Sequence, residues 1–204
     1  MRLTRHVSLF ILGIAMVATA TAEEALPIRV EAEVVEKGNA PYLKVSVVNV
    51  ASGDVTIRKE LLENAQWVVT RSPEREDGTR ALSLFYHFKT DCSGFFTEGM
   101  DKRLDFVKQL SENPEMAVVL RPGASHHATI PFEGAMKAAA RDSMPGKVTS
   151  ASLELRNIVL KSPDADEARV VALYGRTFRT PIFDLTAEGW HPAPEGDMGA
   201  KRPK

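Results

Sequence analysis

Hydrophobic side chains fall on every second position through much of the chain. Ile28, Val30, Ala32 and Val34 alternate with Arg29, Glu31 and Glu33, and Leu43, Val45 and Val47 alternate with Lys44 and Ser46. Successive side chains of a strand point to opposite faces, so each run predicts a strand with one dry face. The Gly38-Asn39-Ala40-Pro41 stretch between them is a turn signal, and the two runs predict a hairpin. Ser52-Gly53-Asp54 marks a second turn, leading to Val55 and Ile57 and then to Trp67 and Val69. Leu82, Leu84, Tyr86 and Phe88 line one face of another expected strand. Residues 117–120, 128–132, 148–160 and 168–178 read as strands too, being rich in the β-branched and aromatic types that suit a pleated surface.

Two segments break this period. Met100, Leu104, Val107 and Leu110 recur at helical spacing and stop before Pro114. Residues 135–142 are alanine-rich and are stopped by Pro145-Gly146. Both read as short helices, with Met100 and Met136 assigned to their apolar faces. Many short strands with frequent turns predict an all-β fold, mainly an antiparallel β-sandwich of Ig-like architecture, with one or two short inserted helices. A parallel α/β fold would need helices alternating regularly with strands.

The ends differ from the middle. Arg2 and Arg5 precede an uncharged apolar run at 7–18, and Ala20-Thr21-Ala22 supplies small residues before Glu23. That order predicts a signal peptide over 1–22, removed on export to a periplasmic or secreted location. The run is shorter than the roughly 20 residues a helix needs to cross a bilayer, so the mature chain is not expected to span the membrane. From 187 to 204 the chain turns polar and ends in Lys-Arg-Pro-Lys. This stretch reads as a disordered tail, leaving 23–186 as the sandwich domain.

Charge narrows the partners. The chain has 26 Lys and Arg against 27 Asp and Glu, a formal net charge of −1, and losing Arg2 and Arg5 makes it slightly more acidic. Such a balance gives no general attraction to phosphate backbones, so nucleic acid is not an expected partner. Cys92 is the single cysteine. It cannot form an internal disulfide, so stability must come from core burial, and the length permits that.

Candidate chemistry is sparse. His126 and His127 are adjacent, and adjacent strand residues face opposite ways, so one metal ion would rarely take both. His126 shares a face with Ala128 and Ile130, which puts it at the core rim and leaves His127 in solvent. A thiol-dependent enzyme would need Cys92 beside His87, His126 or His127. A periplasmic metal carrier would use Met, His and Cys together, but these lie scattered along the chain. No glycine-rich phosphate loop follows a strand, no carboxylate pair has a fixed separation, and no cofactor is implied.

Phe95 and Phe96 follow Gly94 in a segment without clear regular structure. Paired aromatics there either plug the core edge or stand out as binding anchors. With His126 they form the candidate binding set. Trp67 is expected in the core; Trp190 is either a packing foot or a partner contact. The charged stretch 71–80 reads as a solvated loop. These features favour a non-enzymatic binding or accessory protein of the cell envelope, engaging a protein partner through loops or a strand edge. The thiol enzyme and the metal carrier are the alternatives.

Overall fold

The computed structural model describes residues 25–72, 81–86, 98–141 and 147–193. The first half holds β1 (Ile28–Lys37), β2 (Ala40–Asn49), β3 (Val55–Arg58), β4 (Ala65–Ser72), β5 (Ala81–Tyr86) and α1 (Met100–Glu112). Next come β6 (Ala117–Leu120), β7 (Ser125–Pro131), α2 (Glu133–Arg141), β8 (Lys147–Arg156) and β9 (Val159–Lys161). The described chain finishes with α3 (Glu167–Tyr174), β10 (Thr177–Arg179), β11 (Phe183–Thr186) and β12 (Gly189–Pro192).

The expected hairpin forms. Lys37 pairs with Ala40, so Gly38 and Asn39 make a two-residue turn between β1 and β2. Gly38 has φ +65°, the sign such hairpin turns demand and glycine adopts without steric cost. β2 shows the cleanest alternation: Leu43, Val45 and Val47 are fully buried while the residues between them are half-exposed.

Among the described residues all strand pairs are antiparallel, and the strands form three sheets. One runs β1-β2-β7 and another β6-β3-β9. The largest runs β12-β11-β8-β4-β5, with β10 also on β8. Together they make a β-sandwich around one hydrophobic cluster, to which Val45, Ile57, Trp67, Val69, Leu153 and Leu155 contribute. Each such side chain contributes about 1.5–3 kcal/mol by leaving water.

Phe132 sits at the aromatic centre of that core. It stacks on Trp190 at 4.5 Å, meets Phe183 edge-on at 5.9 Å and tilts against Trp67 at 5.4 Å. α2 starts directly after it, and Gly134 lets the helix lie against the indole. A Cβ at position 134 would stand 2.9 Å from Trp67 Nε1. Gly134→Ala should therefore lower stability by about 1–3 kcal/mol through overpacking. This outweighs the roughly 1 kcal/mol that alanine gains over glycine in a helix. A thermal melt checks this, and an unchanged or raised midpoint would show that Trp67 yields.

The structure corrects four expectations. Residues 168–178 are not one strand; α3 occupies most of that span and only Thr177–Arg179 is strand, so the described residues hold three helices. The Asp166 carboxylate accepts the Arg169 N–H at 2.8 Å and caps α3, starting the helix that the apolar run alone left ambiguous. Residues 148–160 are likewise two strands, broken around Asn157, whose φ is +57°. Met100 and Met136 are exposed rather than on apolar faces, because Leu104, Val107 and Leu110 alone make the buried stripe of α1. The tail does not begin at 187, since β12 pairs with β11 and buries Trp190, which makes Trp190 a core residue.

Among the described residues no helix is long and apolar enough to cross a membrane.

Candidate functional site: a groove between the first and third helices

All four residues of β3 are buried. Val55 and Ile57 point into the main core, so Thr56 and Arg58 take the opposite face. Over that face lies a second cluster: Leu104, Val107 and Leu110 from α1, Leu160 from β9, and Val171 and Tyr174 from α3. It is small, and it leaves a gap where the two helices diverge.

That gap is a groove of about 440 Å³. Thr56, in register with Val119 of β6 and Lys161 of β9, crosses its floor. Leu104, Lys108, Ser111 and Glu112 line it from α1, spaced so that they share one helix face. Glu167 and Val170 line it from α3. Lys108 Nζ donates to Glu167 Oε1 at 3.0 Å, tying the two helices together. That hydrogen bond, and then the Glu167 charge, raise the Lys108 amine above its ordinary value. Both groups are exposed, so the pair adds little stability and can exchange partners.

Val119 is 58% exposed, although it sits in a strand between buried or half-buried neighbours. Among the described strands β6 is laddered only to β3, so its other edge is free of a strand partner. A floor that mixes Thr56 with Leu160 and Val119, a charged rim and an open strand edge suit a polypeptide segment. Ser111 Oγ, on the α1 wall, donates to the Lys108 carbonyl at 2.8 Å. Among the described residues no group of three His, Cys, Asp or Glu side chains could hold a metal ion.

Of the expected site residues, His126 and His127 are among the described ones. His126 stands opposite Val47, on the core-facing side of β7, and is half-buried. Its Nε2 lies 2.7 Å from the Lys59 carbonyl, clasping β7 to the residue after β3. His127 is exposed. Neither histidine lines the groove. Phe95, Phe96, Cys92 and His87 fall outside the described residues, as does most of 71–80.

A second buried polar arrangement also escaped the sequence reading. Glu154 belongs to the face of β8 away from Leu153 and Leu155, yet it is 5% exposed. Its carboxylate accepts Gln66 Nε2 at 2.6 Å, Arg156 Nη2 at 3.2 Å and Arg179 Nε at 3.1 Å. Burial is the largest single influence and pushes the carboxyl upward. The hydrogen bonds and charges of Arg179 and Arg156 together overcome it, and the net shift is below the ordinary carboxylate value.

No family model matches the chain, and no curated protein matches it.

Proposed function

We propose that this chain is an exported, non-enzymatic binding or accessory protein of the cell envelope that holds a protein partner in the α1–α3 groove. The observation that carries this reading is the groove itself. It joins exposed Val119, apolar Leu104 and Leu160, and an exchangeable Lys108–Glu167 pair beside the one-sided strand β6. An extended segment can add to such an edge through main-chain hydrogen bonds, while side-chain contacts supply selectivity. Phe95 and Phe96 belong to the proposal as further anchors, since they lead into α1. His126 supports the sandwich edge through Lys59. The leader-like segment 1–22 supports an envelope location, and the nearly neutral charge argues against nucleic acid.

Two outcomes follow. Intact mass of the exported protein should fit a chain starting at Glu23, and recovery of the full-length chain from the envelope would refute processing. With the mature protein as bait in envelope extract, Val119→Glu should weaken capture of the specific partner about tenfold or more, with the melting temperature unchanged. Undiminished capture by a folded Val119→Glu variant would refute the groove as the site.

A further inference from the structure

Asn64 closes the turn between β3 and β4 and is 2% exposed. Its backbone carbonyl is in use, accepting the Arg156 N–H at 3.3 Å. Its side-chain amide is not: neither Nδ2 nor Oδ1 has a partner among the described residues. Exchanging the two atoms would not help, since both are bare. Two neighbours share the condition. Gln66 donates Nε2 to Glu154 but leaves Oε1 unpartnered. Arg58 places Nη2 on Glu63, while its Nε and Nη1 find no partner. Arg58 and Asn64 both border the turn between β8 and β9, because the Arg58 N–H donates to the Ile158 carbonyl at 2.8 Å.

Buried polar groups in folded proteins are almost always hydrogen-bonded, and a bare buried amide is costly. The geometry points to an internal hydration site at Asn64, where at least one ordered water bridges the β3–β4 turn to its polar neighbours. The hydrogen-bonding balance selects water over an ion. The Asn64 amide by itself presents both a donor, Nδ2, and an acceptor, Oδ1. A halide satisfies only donors and a metal cation only acceptors, whereas water serves both. The nearby charges are already matched, Arg58 by Glu63 and Glu154 by Arg179 and Arg156. An added ion would bring unbalanced charge into a buried place. Arg58 shares a face of β3 with Thr56, so it lies on the groove's side of that strand.

The test is NMR on the mature protein. Water-to-amide cross-relaxation at the Asn64 Nδ2 protons should carry the sign of a long-lived water; Asn64→Leu, which removes those protons, serves to assign the signal. The leucine variant should also raise the unfolded-to-folded ratio about 5- to 30-fold, because it strips a buried water of two hydrogen-bond partners. A dry amide predicts the reverse, since leucine would then remove an unsatisfied group at no cost. Absence of the long-lived water signal in the wild type, or a leucine variant as stable as the wild type, would overturn the site. If the leucine variant fails to fold, the wild-type spectrum alone decides.

Discussion

Phe132→Ala should cost about 3–5 kcal/mol of folding stability. Phe132 is 1% exposed and touches Trp67, Phe183 and Trp190, so its loss opens a cavity bounded by three rings from three strands. Those strands belong to the largest sheet, and Phe132 reaches them from the end of β7. The ring therefore pins two sheets together as well as filling space. Domains have about 5–15 kcal/mol in total, so the variant should be marginal. Urea unfolding followed by tryptophan emission reads the effect at Trp67 and Trp190 directly. A loss under about 1 kcal/mol would mean that the aromatic centre is not packed as described.

Glu154→Gln should cost about 2–3 kcal/mol near neutral pH. Glutamine keeps the shape but loses the charge that Arg179 and Arg156 meet, and it sets a second amide against Gln66. The arginines are partly exposed and can turn to water, which keeps the loss at the lower end for a buried ion pair. The pH dependence follows from the direction of the shift. The folded Glu154 carboxyl lies below its unfolded value, so the folded state binds its proton less readily than the unfolded state. Its stabilisation is complete above the ordinary carboxylate range of about 4.3. It fades as pH falls through that range and then through the lower folded value. Wild-type stability should drop over that acid window, and Glu154→Gln should flatten this part of the profile. Parallel profiles for the two proteins would show that Glu154 is not the titrating group.

Much of the sandwich was legible because period two is a strong signal wherever one face is wet. β2 is the clear case, with Lys44 and Ser46 facing out between buried valines. α1 was legible for the same reason at helical spacing, through Leu104, Val107 and Leu110. α3 was not: Ala168-Arg169-Val170-Val171-Ala172-Leu173 fits either period, and the deciding contact is a cap from Asp166 outside the run. Glu154 alternates with Leu153 and Leu155, a pattern that carries no sign of its burial, since β8 is central and buried on both faces. Trp190 was hidden inside a polar stretch, where composition outweighed a single hairpin.

The groove was illegible for a different reason. Thr56, Val119 and Lys161 meet only when three distant strands come into register, and Lys108 meets Glu167 only when two helices pack. Val119 even reads as a core residue within Ala117-Val118-Val119-Leu120. Its exposure comes from the strand's place at a sheet edge, which no local pattern encodes.

Photo-crosslinking in living cells tests the binding claim most directly. A photoreactive residue replacing Val119 should trap one envelope protein as a discrete adduct. The same residue at Met136, exposed on α2 outside the groove, should trap none. Equal adducts at both positions, or none at 119 in folded, exported protein, would contradict the account.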